Sequence, residues 1–213
     1  MKEDIATRWV KFLIFIPLVA IILNGCSTLS KNECLNADWH TIGYQDGYKG
    51  YSKPRIGRHR KACAEYGVKP VLKHYLTGYK DGLAEYCQPY RGYRRGLLGY
   101  KNKQLCKGKY RKPYFVAYMY GYDIYMLEQQ IKENKESINY IVERNYTLED
   151  KRVRLENKLI NKRNTREQRR RLVKAIRRIE NRKILNISAI RYHESLMGEI
   201  EREIEYLKSN QKF

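Results

Sequence analysis

The chain has 213 residues and carries 44 lysines and arginines against 23 aspartates and glutamates, a net charge of +21 at pH 7. That length accommodates one modest core plus an extension and excludes two full-sized domains. The charge opposes compaction by self-repulsion and points to a polyanionic partner or surface.

The apolar run near the N-terminus, Phe12 to Leu23, is 12 residues long. It suits the core of a signal peptide and is too short to span a bilayer as a helix. It ends in Leu23-Asn24-Gly25-Cys26, which resembles the lipobox of bacterial lipoproteins, with a small residue before a cysteine that is diacylated and becomes residue one after cleavage. Asn24 departs from the usual Ala or Ser. The resemblance implies a signal peptide over 1–25 and lipid (palmitate among the acyl chains) on Cys26. Ser27 stands where Asp would mark inner-membrane retention, so an outer-membrane protein facing the periplasm is expected. Cleavage would remove three basic and two acidic residues, leaving +20 on 188 residues.

Residues 26–36 read as a polar, lipidated tether. Four more cysteines follow, Cys34, Cys63, Cys87 and Cys106. An even number in an exported chain implies two disulfides. Antiparallel packing of the first two glycine helices would bring Cys34 toward Cys87, and pairing of sequence neighbours is the other arrangement. No Cys-x2-Cys or Cys-x2-His spacing occurs, so neither a metal nor a cofactor is expected.

Residues 37–126 form a Cys/Tyr/Gly-rich domain, with 16 of the 20 tyrosines between Cys34 and Tyr125. One phrase recurs in it: GYQDGYKGY at 43, GYKDGLAEY at 78, GYRRGLLGY at 92 and AYMYGYDIY at 117. Asp38 is placed to N-cap a helix from Trp39, Gly67 to end one covering HRKACAEY, and Pro70 and Pro89 to open two more, so the phrase falls on helices. A mid-helix glycine costs about 1 kcal/mol relative to alanine, and glycines four apart share a face. Such a bare strip lets a neighbouring backbone or ring lie flat against the helix. Tyrosines one and eight places after the first glycine would bury their faces and keep their hydroxyls in water. The phrase reads as a packing device; its rival is a stack of aromatic platforms for sugars or bases.

The order and spacing of Cys34, Asp38, Trp39, Gly43, Asp46, Gly47 and Gly50, then His59 and Cys63, then Tyr75, Gly78, Gly82, Leu83, Tyr86 and Cys87, then Gly92, Gly96 and Cys106 resembles bacterial envelope lipoproteins carrying a domain of unknown function, family 2799. The resemblance implies an envelope lipoprotein and brings no activity with it. Asp38, Asp46, His59 and Asp81 could supply an acid and a base. Asp38 already has a cap's place, however, and no nucleophile motif accompanies them. No catalytic residue is assigned.

Beyond residue 127 the composition turns to Glu, Lys, Arg, Asn and Ile. Leu127, Ile131, Asn134, Ile138, Ile141, Asn145, Leu148, Arg152, Leu155 and Leu159 alternate steps of four and three, a heptad seam with polar register-setters. Asn161-Lys162-Arg163-Asn164 breaks it, and Thr165 with Gln168 makes a capping box for a second helix. Leu172, Ile176, Ile179, Ile187, Ile190, Met197, Ile200, Ile204 and Leu207 form its seam. Residues 127–213 are therefore expected to fold as an antiparallel coiled-coil hairpin, with a dimer of one continuous helix as the alternative. Its turn region, 151–183, holds 15 basic and three acidic residues. Arg163, Arg166, Arg169, Arg170, Arg171, Lys174, Arg177 and Arg178 are the candidate anion contacts.

The expected protein is all-α and non-enzymatic. It is a tethered structural or adaptor lipoprotein whose basic tip meets anionic envelope polymer, lipid head groups or a protein partner, with nucleic acid not expected. The alternative is a small periplasmic glycan binder or enzyme using Asp38, Asp46, His59 and the tyrosines.

Overall fold

The computed structural model describes residues 28–212. The segment read as a signal peptide, residues 1–25, and Cys26 lie outside them. The described residues are all-helical, without a strand: α1 (Lys31–Leu35), α2 (Trp39–Tyr48), α3 (Arg55–Ala64), α4 (Leu72–Tyr86), α5 (Pro89–Leu97), a 3-10 turn (Gly108–Tyr110), α6 (Arg111–Leu159) and α7 (Arg166–Ser209). They divide into two compact units, one made of residues up to 88 with 103–111, the other of 89–102 with residues from 112 on. The compositional change near 127 falls inside α6, which runs through it unbroken.

The first unit is organised by bare helix faces. A Cβ added at Gly43 would lie 2.1 Å from the Tyr75 carbonyl oxygen, and one at Gly82 2.0 Å from that of Tyr44. Gly47 meets Tyr79 and Gly78 meets His40 in the same way. The two backbones thus touch directly, an approach that only glycine allows and that brings Cα–H groups onto carbonyls. Contact positions advance together along both helices, so α2 and α4 run parallel. An antiparallel arrangement, from which a Cys34–Cys87 bond was one expectation, is not what forms. In a parallel pair Cys34 and Cys87 stand at opposite ends. The chain must instead return through a connector, here containing α3, and the bonds are Cys34–Cys63 and Cys87–Cys106, between sequence neighbours. Each ties the residue ahead of a glycine helix to the connector that follows that helix.

The second unit repeats the plan. Gly43, Gly47 and Gly50 recur 49 residues on as Gly92, Gly96 and Gly99, and Tyr75, Gly78, Gly82 and Tyr86 recur 39 residues on as Tyr114, Ala117, Gly121 and Tyr125. Gly92, Gly96 and Gly121 press on the Tyr114, Tyr118 and Tyr93 carbonyls, and Ala117 is fully buried. Gly50 and Gly99, both with φ of +66°, let the chain turn under the rings of Tyr86 and Tyr125. The fourfold phrase is therefore two parallel pairs.

From residue 28 on, the segment read as a tether is folded. Ser30 and Glu33 form a capping box that starts α1, and Leu29 joins the core with Trp39, Tyr75 and Tyr79. The Ser-x-x-Glu signature was present in the sequence, masked by the polarity around it.

In the second unit α6 and α7 form the hairpin. Thr165 caps α7 in a box with Gln168, as the sequence predicts, and Asn164 holds the turn by donating to the Lys158 carbonyl at 2.7 Å. Ile124 packs on Ile200 and Ile204. Farther out the seam is polar: Asn134 accepts from His193 at 2.6 Å, Asn186 donates to Asn145 at 2.7 Å, and Lys183 meets Glu149 at 2.6 Å. Hydrogen bonds from Arg152 and Lys183 hold the Glu149 carboxyl down at about 2. The seam of α7 thus passes through Lys183, Asn186, Ile190 and His193. Ile187, expected in it, is 46% exposed. Hydrophobicity alone picked the wrong residue, because the positions in phase are polar.

Backbone contact at glycine makes a sharp prediction. Gly82→Ala gains helix propensity by about 1 kcal/mol, yet it should lower stability by about 3 kcal/mol or more through overpacking. At Gly198 a Cβ would meet only Arg202, at 3.6 Å. Gly198→Ala should therefore raise stability by about 0.5–1 kcal/mol. Urea midpoints of the two variants should move in opposite directions. Equal shifts would contradict the packing described.

Candidate functional site

Two places concentrate chemistry, one in each unit. The first is the basic turn of the hairpin. Arg163, Arg166, Arg169, Arg170, Arg171, Lys174, Arg177 and Arg178 are all exposed, while Ile176 and Ile179 beneath them are buried. Among the described residues only Arg171 of the eight has a carboxylate partner, Glu167 one turn before it. Arg169 reaches the Asn164 carbonyl at 3.5 Å. Like charges one turn apart, such as Arg166 and Arg170 or Lys174 and Arg178, raise the energy of the helix. Their exposure was legible in the sequence, because a charge run stays in water without tertiary information.

The second place is a buried carboxylate in the first unit. Asp46 on α2 is 5% exposed and His59 on α3 is 2% exposed. One Asp46 oxygen accepts from His59 Nε2 and from the Tyr75 hydroxyl, each at 2.8 Å; the other lies 3.0 Å from Arg55 Nε. Arg55 stacks on the Tyr51 ring at 3.8 Å, and the Thr28 hydroxyl meets His59 Nδ1 at 2.9 Å. Burial by itself raises the Asp46 carboxyl. The hydrogen bonds from His59 and Tyr75 and the charges of His59 and Arg55 outweigh it and hold the group below the ordinary carboxylate value. Burial, with the hydrogen bond to that carboxylate, pushes the Tyr75 phenol far up.

The structure therefore joins Asp46 to His59 and leaves the other candidates elsewhere. Asp38 is the cap of α2, accepting from His40 N at 3.0 Å and from the Thr41 hydroxyl. Asp81 pairs with His40 on the exposed surface at 3.3 Å. Asp38 and Asp46 both line a groove of about 380 Å³ that also receives Thr28, Lys49 and Arg55. Sequence reasoning missed Thr28, Arg55 and Tyr75 as partners, since no spacing links residues on a loop and three helices. It also placed in water the hydroxyls of the tyrosines one and eight places after the first glycine, whereas Tyr79, one place after Gly78, donates to the Tyr51 carbonyl at 2.7 Å. One Asp46 oxygen is thus taken by two donors and the other is paired with Arg55, beside the groove that Asp46 helps to line. No group of three or more His, Cys, Asp or Glu among the described residues could hold a metal ion.

Replacing this carboxylate tests its weight. Asp46→Asn leaves Arg55 without its counter-charge and should cost about 3–5 kcal/mol, as for a broken buried pair. Because folding depresses the acid's pKa, its contribution is present above the unfolded value of about 3.9 and is lost as pH falls through the folded value. The stability gap between parent and variant should thus be full at pH 6 and shrink below pH 4. A gap independent of pH would show that shape rather than charge matters at Asp46.

Residues 38–123 match the family described as protein of unknown function, DUF2799. The segment contains both parallel helix pairs nearly whole. No curated protein and no solved structure matches the chain.

Proposed function

We propose that this protein is a non-enzymatic envelope lipoprotein, anchored through lipid on Cys26, whose hairpin carries a basic tip to anionic envelope material. The observation that carries this reading is the contrast in how charge is used. In the first unit Asp46 and His59 are buried and Arg55 is half-buried, and both cations are paired with Asp46. At the tip seven of eight cations stand exposed with no carboxylate partner among the described residues. Unpaired like charges raise the energy of the free protein, and contact with a polyanion relieves it. Outer-membrane placement follows from Ser27 after the lipidated cysteine and belongs to the same proposal. No described helix is long and apolar enough to cross a membrane.

The anchor and the tip are separable. Cys26→Ser should leave the protein unlipidated and release it from the membrane fraction; a variant that fractionates and migrates like the parent would contradict lipid attachment. Replacing Arg169, Arg170, Arg171, Arg177 and Arg178 with glutamine removes five charges and keeps helix propensity and the buried Ile176 and Ile179. Binding of the parent to peptidoglycan sacculi or anionic vesicles should fall steeply with salt through counterion release, and the glutamine variant should bind less and with a flatter salt dependence. Equal binding by both proteins would make the tip a solvated surface.

A further inference from the structure

Helix α3 has two working sides. Arg55 and His59 turn toward Asp46 and the N-terminal segment. Gly57, Arg60, Lys61 and Ala64 line a different groove, of about 1090 Å³, closed on its other side by the approach to α4. Ile56, Val68 and Leu72 give it an apolar lining, Arg60, Lys61 and Lys69 are its cations, and no carboxylate lines it. Leu72 is 55% exposed there. No atom lies within 4 Å of where a Gly57 Cβ would stand, so this glycine serves no internal contact, unlike the glycines of α2 and α4. An apolar floor beside three cations fits an anionic amphiphile.

The N-terminal segment identifies which one. Thr28 is bonded to His59 of α3 and Leu29 is buried in the core. Two residues of chain span at most about 7 Å, so lipid on Cys26 brings the bilayer surface beside α3. From these observations, and resting on the lipid-anchor reading, we infer that the α3–α4 groove binds an anionic phospholipid of the membrane to which the chain is attached. The acyl chain enters between Ile56, Val68 and Leu72, and the phosphate lies on Arg60, Lys61 and Lys69. Such a site presses the first unit against the bilayer and fixes its orientation there.

The test uses residues 26–213 with Cys26→Ser and with Arg163, Arg166, Arg169, Arg170, Arg171, Lys174, Arg177 and Arg178 all changed to glutamine, so that neither lipid nor these tip cations supply the binding, and every groove variant is compared in this background. Co-sedimentation with vesicles of phosphatidylglycerol and phosphatidylcholine, against phosphatidylcholine alone, measures the groove. Binding to the anionic vesicles only is expected. Arg60→Gln, Lys61→Gln and Lys69→Gln together should weaken it about a hundredfold. Gly57→Phe, which fills the groove without changing charge, should weaken it about fivefold or more, with an unchanged thermal midpoint to confirm folding. If Gly57→Phe binds like its parent, or if the parent ignores anionic vesicles, the assignment is overturned. It is also overturned if these substitutions spare vesicles and abolish binding of an acidic, leucine-containing probe peptide, because the groove then takes a protein segment. Cys26→Ser fractionation reports on the anchor independently, so loss of one reading is not mistaken for loss of the other.

Discussion

Direct contact between the backbones of two parallel helices is the constraint from which the first unit follows. A glycine carbon sits where a Cβ would be about 2 Å from a carbonyl oxygen at Gly43, Gly78 and Gly82. Helices that close can bury little side-chain area between them, so stability has to come from what surrounds the contact. Tyr75 and Tyr79 cover it from one side, with Trp39 and Leu29 in the same core. Parallel direction adds a second requirement, since the chain must travel back the length of a helix before the partner can start. The return segment has little apolar content of its own, with α3 reading RIGRHRKACA. It is held by covalent and polar means instead: Cys63 to Cys34, and His59 with Arg55 to Asp46. The buried carboxylate thus has a structural origin. It sits next to Gly47, where α2 is thin enough for Tyr75 and α3 to reach the same oxygen pair.

The hairpin solves a different problem with different physics. Long antiparallel helices with repeated heptads can slip by seven residues at little loss of apolar contact, and polar pairs across the seam forbid this because a slip leaves them unmatched. Asn145 with Asn186, Asn134 with His193 and Glu149 with Lys183 are three such pairs on one register. They give up apolar burial in the middle of the arm, which is why Ile187 is found outside. The apolar grip lies at the base, where Ile124, Ile200 and Ile204 meet, and under the tip at Ile176 and Ile179.

Features written in one local window were legible in the sequence. Asp38 as a cap, Thr165 with Gln168, the break at 161–164, the seam of α6 and the exposed cations all depend on neighbours within a turn or two. The glycine phrase was legible as a packing device, because period and residue type both survive in one dimension. Its direction was not, since parallel and antiparallel pairs present the same bare face. That missing sign decided the disulfides. The partners of Asp46 were illegible for another reason: Thr28, Arg55, His59 and Tyr75 come from separate elements and converge only after the return connector is in place. In α7 the seam was misplaced because Lys183, Asn186 and His193 look like surface residues until their partners on α6 are known.

Function is best sought where valence is left over. In the first unit the ionisable groups that appear catalytic in sequence are spent on one another or on caps: Asp46 accepts from two donors and pairs with a third, Asp38 holds the start of α2, and Asp81 holds His40. Of these only Asp46 is buried; Asp38 and Asp81 hold their partners at the surface. Unspent capacity lies in two other places, the cations of the hairpin turn and the apolar groove beside Gly57. Ile56 and Val68 on the groove floor also pack on the core, but the tip opposes its own helix by repulsion, and Gly57 carries the entropy cost of glycine in α3 without any close approach to justify it. In the functions proposed above both burdens are compensated outside the protein, and both proposals ask for the same sign of charge in the partner.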